Sequence, residues 1–436
     1  MRIQLIKTPI TELPKVDKWY MPLELISLAN AVSDVADVEI LDGTHLSKEE
    51  IIDRIDADVV GITYTSLSTS NIKELAKTAK SKGSYVVFGG QAATANPIDL
   101  FRLQETDAVI VNAGEIPLKL LVENGFKKLD EVPNLVYRNE KINRTPQIKD
   151  SLENYGVLDR LQGGLNIEDY IAYYDSTTTF PQLNPKRPTN IFSQKGCPRT
   201  CSFCARQDKE HQKRDPQKVV QEITILKEKY GIDYLFDVSD TWAKDFHWMK
   251  EFADTYCDAN KLPMTIFADI RDITPEKLEL MRYCGIDHIL FGVESGSNDI
   301  LRINGKPYTN NTIYEKIKAT RDVGIKISAS FVVGLIGENK ESLHETEQII
   351  SRITDLGGVH PYINVIIPLP GSRLWRQFTE DSSMKEKYSN SLNYDLTQIR
   401  EDFLKRHTCL TLSELLDFRD KVNYEAGLEK VLEYAR

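Results

Sequence analysis

Gly196-Cys197-Pro198-Arg199-Thr200-Cys201-Ser202-Phe203-Cys204 places three cysteines within eight residues, separated by three and then two positions. Soft thiolates in one loop suit an iron–sulfur cluster or zinc. Structural zinc sites normally draw four protein ligands, usually as two pairs. No fourth cysteine or histidine follows at a matching offset here, and only His211, seven residues on, could complete a zinc knuckle. Three thiolates on a four-iron cluster leave one iron open to bind a substrate or cofactor. The remaining cysteines, Cys257, Cys284 and Cys409, are scattered and read as buried apolar fillers.

Outward from this loop the sequence alternates strand-like and helical runs. C-terminal to it, strands are expected over 234–238, 265–268, 288–293, 328–333 and 363–367. Helices are expected between them, over 217–229, 246–259, 275–283, 312–323 and 341–354. Strands separated by helices of ten to fifteen residues predict a parallel sheet, here as an open or closed barrel over 191–379. Asp240, Arg271 and Glu294 fall at or just beyond predicted strand ends, where the mouth of such a barrel forms.

N-terminal to the loop, a second alternating region spans 1–140, with strands over 2–6, 38–41, 59–64, 85–88 and 108–111. It predicts a Rossmann-like layer structure whose ligand lies at the carboxyl ends of the strands. Those ends carry hydroxyls and glycines: Thr65, Ser66 and Leu67 after the third strand, Gly89, Gly90 and Gln91 after the fourth, and Gly114 and Glu115 after the fifth. Glycines let backbone approach a large flat ligand, and hydroxyls can bond to it. Residues 141–190 break the alternation and read as a linker, with an extended stretch around Phe180 and Pro181. Residues 380–436 read as helical and tyrosine-rich.

The 436 residues suffice for two or three domains at roughly 100–200 residues each. At 41% hydrophobic and 28% charged the composition is that of a globular chain. Six cysteines in this distribution fit a reducing compartment, not a secreted disulfide scaffold. The net charge of −10 argues against nucleic acid as the main partner. No run approaches the ~18 apolar residues of a membrane span, and the N-terminus lacks a signal peptide's long apolar stretch. A soluble, cytoplasmic protein is expected.

The cysteine loop, with Phe203 at its aromatic position, resembles the radical S-adenosylmethionine (SAM) superfamily, and in particular its cobalamin-binding branch. Further matching segments are Phe291-Gly292-Val293-Glu294-Ser295-Gly296-Ser297, Phe331-Val332-Val333-Gly334-Leu335-Ile336-Gly337-Glu338, and Ile366-Ile367-Pro368-Leu369-Pro370-Gly371-Ser372. Val59-Val60-Gly61-Ile62-Thr63 and Phe88-Gly89-Gly90 resemble the cobalamin domain. The resemblance spans about residues 5–375. It implies an N-terminal Rossmann-like cobalamin domain, a partial (β/α)6 barrel and a 4Fe–4S cluster on Cys197, Cys201 and Cys204. It also implies SAM contacts from Phe203, Asp240, Arg271, Glu294, Ser295 and Val333. The cobalamin face would comprise Thr65, Ser66, Leu67, Gly89, Gly90, Gln91, Gly114 and Glu115.

The implied activity is methyl transfer to an unactivated carbon through a 5′-deoxyadenosyl radical and methylcobalamin, with a low-potential donor such as ferredoxin or flavodoxin. Some compact relatives methylate a protein residue, including methanogen enzymes that modify methyl-coenzyme M reductase, so a peptide or protein substrate is expected. A lipid or antibiotic precursor is the alternative substrate. A cobalamin-dependent oxidoreductase or rearrangement enzyme is the alternative chemistry. The absence of cysteine before residue 197 sets aside a methylthiotransferase, which carries a second cluster. One motif departs from the family. Where relatives ligate cobalt they use Asp-x-His-x-x-Gly, but Asp42-Gly43-Thr44-His45 has its histidine one place late. His45 is therefore read as a surface polar residue, and the lower axial ligand is left open.

Overall fold

The computed structural model describes residues 1–10, 18–149, 151–152, 155–206 except 178–182, 208–256 and 261–425. The chain forms two compact units. The first comprises 1–151, 158–173 and 379–394, and the second 152–157, 174–378 and 395–436.

The first unit is built on β1 (Arg2–Lys7), β2 (Asp37–Asp42), β3 (Val59–Thr63), β4 (Tyr85–Gly89), β5 (Ala108–Ile110), β6 (Leu135–Arg138) and β7 (Ile142–Arg144). Their order in the sheet is β2-β1-β3-β4-β5-β6-β7. The first five are parallel; β6 runs antiparallel to β5 and β7 antiparallel to β6, forming the edge. Helices α1 (Leu23–Val32), α2 (Lys48–Arg54), α3 (Thr69–Ser81), α4 (Gln91–Ala95) and α5 (Glu115–Glu123) connect the strands. The strand order 2-1-3-4-5 is the flavodoxin-like doubly wound order, whose ligand crevice opens beside the first and third strands. The apolar runs explain this arrangement. Val60, Ile62, Val86, Phe88 and Val109 alternate into a core also filled by Ile72, Leu75 and Ala79 of α3.

The second unit holds β8 (Pro188–Ile191), a small antiparallel pair β9 (Gln194–Lys195) and β10 (Gln212–Lys213), then β11 (Tyr234–Asp237), β12 (Met264–Ala268), β13 (Ile286–Glu294), β14 (Lys326–Val333) and β15 (Val359–Val365). The main sheet runs β15-β14-β13-β12-β11-β8 with every pair parallel. Each strand lies beside its predecessor, so the sheet winds in one direction as a barrel wall does. The two ends, β8 and β15, do not pair. Helices α7 (Pro216–Tyr230), α8 (Phe246–Tyr256), α9 (Pro275–Tyr283), α10 (Asn298–Ile303), α11 (Asn310–Asp322) and α12 (Lys340–Thr354) cover it, followed by α13 (Arg373–Phe378). Local sequence sets their limits. Asp215 caps α7 ahead of Pro216, and Gly231 ends it in the left-handed conformation, φ 65°.

Three sequence expectations differ in detail. The 141–190 segment is not simply a linker: it carries β7 and helix α6 (Ile167–Thr177). Ile167, Tyr170, Ile171 and Tyr174 are all buried, and their 3–4 residue spacing makes one apolar helical face. The last barrel strand begins four residues earlier than expected, at Val359, because residues 359–365 pair in register with 327–333. The stretch 380–394 belongs to the first unit. Cys257 and residues 178–182 lie outside the described residues. No helix among the described residues is long and apolar enough to cross a membrane.

Candidate active site

Strands β8, β11, β12 and β13 each deliver part of one edge. β8 leads through Ser193 into the cysteine loop, and a buried carboxylate fixes that exit. Asp237, at the end of β11, accepts hydrogen bonds from the Ser193 amide (3.2 Å), the Ser239 amide (3.0 Å) and both seryl hydroxyls. Burial raises the Asp237 carboxyl, and the hydroxyl and amide donors oppose that rise.

The loop itself is held by backbone. Gly196 sits at φ 83°, where a Cβ would collide with the Glu210 carbonyl oxygen. Its amide donates to Asp240 (2.6 Å), and Asp240 also pairs with Arg206. The Cys197 amide donates to the Asp208 carbonyl (3.2 Å). Arg199 pairs with Asp272 (2.6 Å). Ser202, between the second and third cysteines, donates its amide to the Asn304 carbonyl (3.0 Å) and its hydroxyl to Asn304 Oδ1 (2.7 Å), while its carbonyl accepts from the Leu374 amide (2.8 Å). Cys197, Cys201 and Cys204 are free thiols, each partly exposed.

The chemistry of this donor set fits a cluster better than a single ion. Among the described residues no three His, Cys, Asp or Glu side chains converge closely enough to hold one metal ion. A four-iron cluster binds each thiolate to a different iron and needs no such convergence. The zinc-knuckle alternative would draw on His211, whose Nε2 is engaged by Gln194 Oε1 at 2.7 Å and which, among the described residues, forms no converging group with the cysteines.

Beside the cysteines lies a network of charge, of which the sequence showed only Arg271 and Glu294. Lys306 is almost fully buried, and its ammonium lies 3.1 Å from Glu294 Oε1, 3.0 Å from the Gly292 carbonyl and 3.7 Å from Asp269 Oδ2. Asp269 in turn grips Arg271 with both oxygens, at 2.7 and 2.6 Å. Burial alone would raise Asp269, but Arg271 and Lys306 hold it down at about 2. Tyr308 donates to the carbonyls of Gly292 and Val293 (3.2 and 3.3 Å). Burial pushes up the Cys201 thiol, and of the charges acting on it the Lys306 cation has the largest effect, favouring the thiolate.

Among the expected SAM residues, Glu294 ends β13 at φ 73°, a left-handed conformation rare for a side-chain-bearing residue and common at functional sites. Asp240, Arg271 and Glu294 all reach this edge, each with a protein partner. Ser295 and Val333 are fully buried, and the Ser295 hydroxyl accepts from the Ser297 amide at 3.1 Å. Phe203 is partly exposed on the cysteine loop. Lys306 and Tyr308 were missed because a lone lysine or tyrosine between helices carries no periodic signal; Asp269, directly after the strand expected over 265–268, met the strand-end criterion and was passed over for Arg271.

On the first unit, the loops carrying Thr65–Leu67, Gly89–Gln91 and Gly114–Glu115 follow β3, β4 and β5, three neighbouring strands. Part of their chemistry is internal. The Thr65 amide donates to Ser68 Oγ (3.1 Å), and Glu115 accepts from Ser27 Oγ (2.9 Å). Gly90, at φ 101°, must be glycine because a Cβ would stand 2.8 Å from the Tyr64 carbonyl. Gly89 is open: a Cβ there meets nothing nearer than 4.0 Å. His45 is not a surface residue. It is half-buried between the rings of Tyr170 (4.4 Å) and Tyr173 (4.5 Å), with Nε2 bonded to the Lys18 carbonyl at 2.7 Å.

Residues 191–350 match the model of the radical SAM superfamily. Similar curated proteins include an uncharacterised methyltransferase of Pyrococcus horikoshii, 26% identical over 373 residues, covering 81% of this chain and 77% of the relative. Cytidylyl-2-hydroxyethylphosphonate methyltransferase of Streptomyces wedmorensis is 26% identical over 358 residues, covering 73% and 66%. Among solved structures, the radical SAM methyltransferase TsrM of Kitasatospora setae, with cobalamin and a 4Fe–4S cluster bound, superposes with TM-score 0.71 at 16% identity, covering 88% of this chain and 75% of that one. The cobalamin-dependent SAM radical enzyme OxsB, with aqua-cobalamin and SAM bound, gives TM-score 0.67 at 16% identity, covering 95% and 57%. Residues 191–350 thus carry a radical SAM domain. The chain's fold is shared with cobalamin-binding enzymes of that superfamily, with a flavodoxin-like sheet ahead of an open parallel barrel.

Proposed function

We propose that the protein is a cobalamin-dependent radical SAM methyltransferase that methylates an unactivated carbon of a peptide or protein residue. The observation that carries the reading is the clamped loop of three free thiols at the mouth of an open parallel barrel. Bound together, the cluster supplies an electron to cleave SAM, and cobalamin carries the methyl group. The chain's own residues do the positioning. Cys197, Cys201 and Cys204 would hold three irons. Arg271, held by Asp269 and still partly exposed, is suited to the SAM carboxylate, and Glu294 to its ammonium or ribose hydroxyls. Phe203 is suited to stack against the adenine.

On the first unit, Thr65, Ser66, Leu67, Gly89, Gly90, Gln91, Gly114 and Glu115 would form the cobalamin face. Gly89 is the position where the backbone leaves the most room. Methyl transfer is preferred to oxidation or rearrangement on the two relatives named above as methyltransferases, while other similar curated proteins are anaerobic magnesium-protoporphyrin IX monomethyl ester cyclases. The peptide or protein substrate rests on the resemblance to relatives that methylate a protein residue, and an antibiotic or lipid precursor would use the same site. A low-potential ferredoxin or flavodoxin would supply electrons.

The test is anaerobic turnover of the reconstituted chain with candidate substrates, followed by mass spectrometry. Each methylated product should come with one S-adenosylhomocysteine and one 5′-deoxyadenosine. Deoxyadenosine formed with no gain of a methyl mass would refute methyl transfer and favour rearrangement or oxidation. Gly89→Leu should abolish cobalamin binding and leave the cluster's iron content unchanged.

A further inference from the structure

The turn after α10, Asn304-Gly305-Lys306, touches the cysteine loop at consecutive positions. Asn304 binds Ser202 through both backbone and side chain. Gly305 lies at φ 81°, and a Cβ there would stand 2.7 Å from the Thr200 carbonyl and 3.4 Å from Cys201 Cα. Only glycine lets this turn lie against the loop. The next residue, Lys306, is thereby set beneath Cys201 with its side chain buried. A buried ammonium is costly unless paired, and Lys306 is paired with Glu294 and hydrogen-bonded to Gly292.

A second glycine makes that pairing possible. At Gly292 a Cβ would meet Glu294 Oε1 at 2.5 Å and Lys306 Nζ at 3.5 Å. The strand end is thus shaped so that the Glu294 carboxylate folds back onto the lysine. Lys306 lacks the access needed to contact a ligand directly, whereas Arg271 is only partly covered.

We propose that Lys306 is a positioning residue whose buried positive charge sets the reduction potential of the cluster held by Cys201, while fixing the Glu294 carboxylate at the barrel mouth. The proposal rests on the cluster reading above. Adding an electron to a cluster adds negative charge, which a nearby buried cation stabilises strongly because little water screens it. Lys306 opposes Glu294 in this respect, so removing one or the other moves the potential in opposite directions. A residue needed only for packing would not produce opposite signs.

The full chain is reconstituted anaerobically with iron and sulfide, without SAM, and titrated with a chemical reductant while the reduced cluster is followed by electron paramagnetic resonance. Lys306→Met should move the midpoint to more negative potential at unchanged iron content. Lys306→Arg should restore the wild-type value, and Glu294→Gln should move it to more positive potential. An unchanged midpoint in Lys306→Met, or a shift of the same sign in Lys306→Met and Glu294→Gln, overturns the proposal. If Lys306→Met does not retain iron, Glu294→Gln decides alone, because it leaves the Lys306 charge without its closest carboxylate. A midpoint above wild type supports the proposal, and one at or below wild type overturns it. Wild-type protein that binds no cluster takes down the underlying reading itself, and iron and sulfide analysis identifies that case before any titration.

Discussion

At Gly292 a single missing methyl group decides the electrostatics of the barrel mouth. Gly292→Ala should eject the Glu294 carboxylate from Lys306 and leave a buried ammonium short of its partner. A loss of about 2–4 kcal/mol is expected from the clash and the broken pair. Urea denaturation checks this, and SAM affinity measured by equilibrium binding should fall in parallel. Glu338 is a second residue whose burial has a readable consequence. Its Oε2 accepts from the Gly334 and Leu335 amides, its Oε1 has no hydrogen-bond partner among the described residues, and burial raises its carboxyl to about 7. A carboxyl raised in the folded state contributes stability that is fully present below the unfolded value near 4.5 and lost as pH rises through about 7. Glu338→Gln should therefore flatten the stability profile between about pH 5 and 7.5, followed by denaturant midpoints across that range. The sequence showed Glu338 as the end of a motif and Gly292 as a strand glycine. What each does depends on neighbours far along the chain, and no local pattern encodes that.

At the scale of elements, the strands of the second unit share a buried polar chain near their N-terminal ends. Asp287 accepts from the Tyr234 hydroxyl (2.5 Å), which lies 3.0 Å from Thr265 Oγ1. Thr265 Oγ1 is 3.0 Å from His288 Nδ1, and His288 Nε2 is 2.9 Å from Ser328 Oγ. Four neighbouring strands, β11 to β14, are laced together this way, opposite the edge that carries the cysteines. Burial, helped by His360 and Lys326, lowers His288 to about 3. The folded chain thus keeps His288 neutral while the unfolded chain protonates it near 6.5. The stability cost begins as pH falls below about 6.5 and grows by about 1.4 kcal/mol per pH unit until about 3. His288→Gln should remove that slope between pH 4 and 6, and an unchanged slope would show that His288 does not titrate as its burial requires. The elements themselves were legible because apolar runs of period two and helices of period 3.6 alternate with few interruptions. The helix at Ile167–Thr177 was harder to see. Its tyrosines supply half of the buried face, and aromatic residues in a short segment also fit a linker.

At the scale of the whole molecule, the first unit is assembled from three separate stretches of chain, and the last of them lies more than two hundred residues beyond the first. Residues 379–394 return late in the sequence to pack where the early strands end. Leu392 is buried in the same core as Ile62, Phe88 and Val109. The Ser391 carbonyl accepts from the Tyr64 hydroxyl (3.0 Å), and its amide donates to Asp99 (2.8 Å). A division at residue 140 or 380 reads naturally from composition, because the alternation stops there. Composition cannot report that a short helical segment after the barrel supplies a side chain to an earlier core. The consequence is testable in the intact chain. Leu392→Ala removes a buried leucine from a well-packed cluster and should destabilise the first unit by about 2–5 kcal/mol. Tyr64→Phe deletes one buried hydrogen bond and should cost about 1 kcal/mol. Both should show as an earlier loss of structure on chemical denaturation, with cobalamin binding failing at lower denaturant than in wild type. The iron content of the cysteine loop should stay unchanged at low denaturant, because neither side chain belongs to the second unit. A Leu392→Ala chain that unfolds at the wild-type midpoint would mean that residues 379–394 do not complete that core.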